Sequence, residues 1–263
     1  MKSDQPGKRL QTALWWVLHC QNFYVRFLES PHFLHRSFSD RHREASVVYK
    51  LRNGLQIKLA SGHYEHCLIE DIWMNKEYTN PKGFRIARTD TIIDIGAHKG
   101  VFSLYAGCLA KEGRVFSYEP HPSNYSFLQE NLARNNAANT RAFNLAVWSE
   151  PGKTTLKISS SSLSHSLVLQ TDSLDTVEVP CTGLREIFEE NRIGRCEFLK
   201  IDAEGAEYEI LRATPVQTLA RTDRIVAEVH TVPGWSMTRL CDLLTERGFK
   251  TTLHGRLVFA TRS

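Results

Sequence analysis

The sequence predicts an α/β fold whose sheet is mostly parallel and covered by helices on both faces. From residue 90 onward, short apolar strands alternate with amphipathic helices. The strands are continuously apolar rather than alternating, which is how strands read when both faces of a parallel sheet are buried. The chain closes with two strands joined at His254-Gly255, a hairpin that adds antiparallel pairing at one edge.

Taken in order, residues 1–45 form a basic, aromatic helical arm. Trp15, Trp16, Phe23, Tyr24 and Phe27 lie between Arg9 and Arg41, and apolar positions from Leu14 to Leu28 recur at helical spacing. Such a helix packs on the main domain or a second subunit, and its composition also suits contact with a membrane surface. Ser46 to Leu59 reads as a hairpin with a type I′ turn at Asn53-Gly54. A helix follows over Glu65 to Tyr78, broken by Asn80-Pro81 and Gly83. Residues 46–90 thus precede a core domain at 91–263. In that core the spacing predicts strands at Thr91–Ile95, Arg114–Tyr118, Arg141–Val147, Phe198–Ile201 and Arg224–Val229. Helices are predicted at Val101–Lys111, from Pro122 to Asn135, at Ala206–Arg212, and from the cap Ser236 to Arg247. The closing strands are Lys250–Leu253 and Arg256–Thr261. The serine-rich stretch Ser159–Ser166 reads as a solvated loop.

Composition excludes several classes. With 41% hydrophobic and 24% charged residues, the 263-residue chain is no collagen, coiled coil or disordered tail. No stretch has the 18 or so uninterrupted apolar residues of a spanning helix. Ala13–Leu28 is interrupted by polar residues and lacks a cleavage site, so no signal peptide is expected. The 6 cysteines are scattered without CxxC spacing, which points to reduced thiols and the cytoplasm. Residues 1–50 carry all of the net charge of +4, so the rest of the chain is neutral and a basic nucleic-acid binder is disfavoured.

Ligands of open α/β sheets bind beyond the carboxyl ends of the strands. The first such end reads Asp94-Ile-Gly96-Ala-His98-Lys-Gly100. Gly96 permits a sharp turn and Gly100 a close helix approach. Ala97 and His98 stand where the second glycine of GxGxxG makes room for a pyrophosphate, which counts against NAD and FAD. Asp94 would repel a phosphate and welcome a cation. The second strand ends in Tyr118-Glu119-Pro120, and a carboxylate there grips a ribose diol. A cationic nucleoside free of phosphate fits both features, and S-adenosylmethionine is that molecule.

In these segments the chain resembles the FkbM family of class I S-adenosylmethionine-dependent methyltransferases. The matching pieces are Ile93–Gly100, Tyr118–Pro122, Asn144-Leu-Ala-Val147, the run Phe198-Leu-Lys-Ile-Asp-Ala-Glu-Gly-Ala-Glu207 and Ile225–His230, with Asp71–Tyr78 similar to the family's pre-domain helix. The resemblance implies a seven-stranded Rossmann-like sheet and methyl transfer to a hydroxyl of a sugar, glycan or secondary metabolite. It implies donor contacts at Asp94, Gly96, His98, Gly100, Glu119, Pro120 and Ala146. His98 departs from the asparagine frequent at its position, and residues 1–45 have no counterpart.

An alkyl hydroxyl needs a base or a metal near it. The fourth strand runs out through Asp202, Glu204 and Glu207, and the fifth ends at Glu228 and His230. Asp202 is the first candidate at the transferring methyl, as base or acceptor orienter. His230 is the alternative base, with an ordinary pKa near neutrality. Glu204 joins them as a catalytic or hydroxyl-binding group, and Glu228 and Glu207 are candidates for acceptor binding. Lys200 points opposite to Ile201 and can pair with one of these acids. Carboxylates and an imidazole would also suit a divalent cation, but no ligand spacing is diagnostic and none is expected. The acceptor is a small molecule or glycan and not a nucleic acid, whose phosphates this row of acids would repel. The rival readings are an NAD- or nucleotide-sugar-dependent Rossmann enzyme and a ligand-binding module without turnover.

Overall fold

The computed structural model describes residues 46–60, 65–158 and 175–263. The expected helical arm at 1–45 and the loop at Ser159–Ser166 lie outside them. The chain divides into two compact units between Met74 and Asn75.

In the first unit, β1 (Ser46–Lys50) and β2 (Gln56–Ala60) form the expected antiparallel hairpin. Its turn differs from the type I′ prediction. Leu51 N–H donates to the Leu55 carbonyl and Gly54 N–H to that of Leu51, and Gly54 has φ 88° while Asn53 does not enter the left-handed region. A type I′ turn needs positive φ at both central residues; this is a three-residue loop with a left-handed glycine at its end. The helix expected over Glu65–Tyr78 is shorter. A single turn, α1 (Cys67–Ile69), continues as a short π-helix at Glu70–Met74. Lys76 then adopts φ 52°, and a left-handed residue stops a helix.

The second unit is built on a seven-stranded sheet ordered β11-β12-β10-β9-β3-β4-β5. These strands are β3 (Thr91–Ile95), β4 (Arg114–Tyr118), β5 (Thr140–Phe143), β9 (Phe198–Ile201), β10 (Arg224–Glu228), β11 (Phe249–His254) and β12 (Leu257–Arg262). The first five are mutually parallel, and the terminal hairpin inserts β12 antiparallel beside β10. The helices are α2 (Val101–Leu109), α3 (Pro122–Arg134), α4 (Leu184–Glu190), α5 (Glu207–Ala213), α6 (Val216–Leu219) and α7 (Met237–Glu246). Among the described residues no helix is long and apolar enough to cross a membrane.

One sheet face packs Ile93, Ile95, Leu199, Ile201, Ile225 and Ala227 into a buried cluster with Leu240 and Leu244 of α7. Residues 75–90 carry Phe84 into edge-to-face contact with Phe198 and Phe259. At ~25 cal/mol per Å² of apolar surface, each such buried ring stabilises the fold by a few kcal/mol at most.

The single third strand predicted over Arg141–Val147 is two strands. Asn144 turns its amide to the Glu119 and Pro120 carbonyls, so β5 ends there. The chain then crosses to a second sheet, where β6 (Ala146–Trp148) pairs with β8 (Thr176–Gly183) and β8 with β7 (Gly152–Lys157).

Candidate functional site

The order of strands places β3 between β4 and β9, so the loops after β3, β4, β9 and β10 meet along one edge of the sheet. Gly96 turns the first loop at φ 73°, and a Cβ there would sit 1.7 Å from the Asp202 carbonyl oxygen. The loop thus lies against the tip of β9, a fit that only glycine permits. Its N–H groups at Gly96 and Ala97 both reach the Tyr118 carbonyl, 3.0 Å away. Gly100, at φ 83°, brings α2 against Leu128 of α3.

Glu119 is buried at the tip of β4. Its Oε2 accepts from His98 N–H at 2.8 Å and its Oε1 from His121 N–H at 2.9 Å. Burial pushes its pKa up to about 7 against the pull of those hydrogen bonds. A carboxylate offers about four lone-pair sites. The two backbone bonds and a further one from the Asn124 side chain hold the loop in shape and leave room for a ligand hydroxyl. Pro120 follows on the same turn, its carbonyl held by Asn144.

Register sets Asp94 of β3 beside Lys200 of β9, on the face opposite Ile201 as alternation predicts. Lys200 Nζ lies 3.1 Å from Asp94, 3.7 Å from Asp202 and 2.8 Å from the Gly96 carbonyl. Burial lowers the pKa of Lys200, but Asp94 and Asp202 outweigh it and the ammonium is held above its ordinary value. Asp94 has no exposed surface, and it also accepts from Ser103 Oγ at 2.7 Å. It therefore lies beneath the donor loop, with Lys200 as its immediate partner.

Beyond the strand tips, Tyr78 donates its single proton to Asp202 (3.4 Å) or Glu228 (3.3 Å). Burial first, then Asp202 and Glu228, push its pKa well above the phenolic value. Tyr78 was not singled out by the sequence, where it closed a helical stretch. Arg256, from the β11–β12 turn, pairs with Glu228 at 2.6 Å. Burial raises the pKa of Glu228, and Asp202 adds to that.

His230 sits between two carboxylates, with Nδ1 2.9 Å from Glu207 and Nε2 3.3 Å from Glu204. Burial opposes its charge, yet Glu207, Glu204 and Asp202 together raise its pKa to about 9. The two acids thus favour the protonated imidazole, which sets His230 apart from the near-neutral base that the sequence led us to expect. Burial raises Glu204 to about 7, with His230 opposing.

Two further candidates are buried. Glu207 has no exposed surface and faces Ala203 N–H, Gly205 N–H and His230, so the expectation that it meets an acceptor directly does not hold. Ala146 is enclosed with Leu156, Val179 and Cys181 in the core of the smaller sheet.

Asp202, Glu228 and His230 bring one ligand atom each within 4.8 Å of one another. A divalent ion there would have to displace the imidazole proton and compete with Lys200 and Arg256, so the group reads as a charge network. The network holds Asp94, Asp202, Glu204, Glu207 and Glu228 against Lys200, Arg256 and protonated His230. Its negative excess favours a cationic ligand and disfavours a phosphate. The donor set therefore fits a sulfonium nucleoside, with Glu119 and the Gly96–Gly100 loop to hold it.

Residues 94–251, more than half of the chain, match the model of the methyltransferase FkbM domain. Methyltransferase 1 of Beauveria bassiana is 25% identical over 178 residues, 60% of this chain and 71% of that protein. The 31-O-demethyl-FK506 methyltransferase FkbM of Streptomyces tacrolimicus is 24% identical over 248 residues, 82% and 94% of the two chains. Among solved structures, methyltransferase FkbM from Methylobacillus flagellatus aligns with a TM-score of 0.48 at 14% identity, covering 95% of this chain and 60% of that one.

Proposed function

The chain belongs to the FkbM family of S-adenosylmethionine-dependent methyltransferases, and from that premise we propose that it methylates a hydroxyl oxygen of a sugar, glycan or secondary metabolite. The observation that carries the choice of oxygen is the rim of Asp202, Glu204 and Glu228 beside the glycine-bent loop. Carboxylates suit the binding of hydroxyls and the removal of their protons. The name of the Streptomyces relative, 31-O-demethyl-FK506 methyltransferase, agrees with this reading.

S-adenosylmethionine, when bound, supplies an electrophilic methyl on a sulfonium. Glu119 would hold its ribose hydroxyls, and Gly96, His98 and Gly100 would shape the loop around it. Asp94 acts from beneath, through Lys200. Asp202 orients the acceptor, and Glu204 is the group whose pKa of about 7 suits it to take the acceptor proton near neutrality. Alignment of acceptor oxygen, methyl and leaving sulfur would provide most of the acceleration. The acceptor is a neutral or cationic molecule, since the rim's charge repels anions. The spacing of the 6 cysteines, without a CxxC pair, supports a reducing, cytoplasmic setting. Residues 1–45 are assigned to contact with a subunit or a membrane surface.

The test is twofold. Calorimetry should show S-adenosylhomocysteine binding and no binding of NAD. Incubation with methyl-labelled donor and extract of the source cell should label an alkali-stable methyl ether. No uptake of S-adenosylhomocysteine, or label found only on nitrogen or carbon, overturns the assignment.

A further inference from the structure

Glu207 is an acid with no exposed surface. Its Oε1 gathers three donors: Ala203 N–H at 3.0 Å, Gly205 N–H at 3.1 Å and His230 Nδ1 at 2.9 Å. Its Oε2 is enclosed and has no hydrogen-bond partner among the described residues. An orphaned buried carboxylate oxygen is costly, so the protein tolerates an expensive group at this point.

The loop that Glu207 ties carries Glu204, held at φ 49°, and Gly205 at φ 101°. A glutamate in the left-handed region costs about 1 kcal/mol or more. Here the strain turns the Glu204 carboxylate back onto His230 Nε2. One buried acid therefore fixes both the backbone that presents Glu204 and the imidazole that faces it. Tyr208, next to Glu207 on α5, donates to the His230 carbonyl at 3.3 Å and fixes the same strand end.

We propose that Glu207 is a positioning residue for methyl transfer, which sets the Glu204 loop and locks His230 as a cation whose Nε2 points at Glu204. The inference rests on the methyltransferase reading and extends it to the order of proton movement. The acceptor O–H gives its proton to the Glu204 carboxylate. The freed oxygen pair forms the C–O bond as the C–S bond breaks, and that bond's electrons return to sulfur, which becomes a neutral thioether. His230 keeps its protons throughout and stabilises Glu204 between turnovers. The elevated pKa of His230, about 9, agrees with this division of labour. The groups facing His230 are Glu207, Glu204, Asp202 and Glu228 among acids, and Lys200 and Arg256 act on the same acids.

The experiment is a proton NMR titration of the His230 ring in the full chain, for wild type, Glu207→Gln and Glu204→Gln. His230 is expected to titrate near 9 in wild type. Its midpoint should fall by roughly one pH unit or more in Glu207→Gln and by less in Glu204→Gln, following the order of their interactions. S-adenosylhomocysteine affinity should stay within about threefold in both variants, while labelled methyl transfer falls about 10–100-fold in each. A wild-type midpoint at the ordinary histidine value overturns the proposal even if Glu207→Gln does not fold. So does a Glu207→Gln protein that folds, transfers methyl normally and leaves His230 unmoved, as a purely structural helix cap would. The titration reads the triad alone and ligand binding reads the donor site alone, so the two readings fail separately.

Discussion

Lys200 and Asp94 face each other across neighbouring strands β9 and β3, 3.1 Å apart and both shut off from water. Removing one member of a buried pair leaves the other charge uncompensated. Lys200→Met is expected to destabilise the chain by about 3–5 kcal/mol, and adding Asp94→Leu to recover at least ~1 kcal/mol of that loss. Urea midpoints of the two single variants and the double variant check this. Additive losses would mean that the pair is not coupled.

At the first loop, Gly96→Ala adds a Cβ into the Asp202 carbonyl oxygen at a backbone angle that side chains avoid. The loop must move, and loss of about 3 kcal/mol or more is expected, with loss of S-adenosylhomocysteine binding. Gly234, at φ 81°, has nothing within 4 Å of its would-be Cβ. Gly234→Ala should therefore cost only the backbone strain, about 1 kcal/mol. Thermal melts of the two variants separate strain from collision.

Asp202→Ala takes away the carboxylate that Tyr78 and Lys200 hold at the tip of β9. Transfer of label is expected to fall about 100-fold or more, because the acceptor loses its orientation, while donor affinity stays within about threefold. Calorimetry with S-adenosylhomocysteine and a label assay on the same preparation check it. A variant that methylates at the wild-type rate removes Asp202 from the mechanism.

His230 makes stability depend on pH. Its pKa is raised on folding, from an ordinary 6.5 to about 9. A base whose pKa rises on folding contributes stability that is whole below pH 6.5 and is lost as pH climbs through 9. With ~1.4 kcal/mol per pH unit and a discount for partial solvent access, the loss is on the order of 2 kcal/mol. Glu204, raised to about 7, adds a loss of the same sign between its ordinary value and 7. Urea midpoints at pH 6 and 9.5 should show the decline, and His230→Asn should flatten its upper part.

The strand-and-helix alternation was plain in the sequence because apolar strands of a covered sheet leave an unbroken hydrophobic signature. All seven strands of the main sheet were anticipated within a residue or two, apart from the end of β5. That end depends on a distant partner, since Asn144 turns toward the Glu119 and Pro120 carbonyls. Strand β8 carried a readable alternation, with Val177, Val179 and Cys181 on its apolar side, but Pro180 masked it. The ladder tolerates that proline because β6 begins pairing only at Cys181.

Within the site, the face that Lys200 takes was legible because strand alternation is a local rule. Tyr78 and Arg256 were not, since each reaches the acids across 124 or more residues of chain, or from a turn whose charge looked like any surface arginine. The state of His230 was likewise hidden, because a histidine's charge follows from neighbours that only the fold assembles.

The span that the family pattern covers, 94–251, is shorter than the working unit. A fragment cut to those limits would end inside β11 and lack β12, leaving a missing slat between β11 and β10. It would also shed Tyr78 at one end and Arg256 at the other, the two groups that calm Glu228. Anyone engineering a minimal catalyst from this scaffold should therefore begin before Asn75 and keep the final hairpin whole.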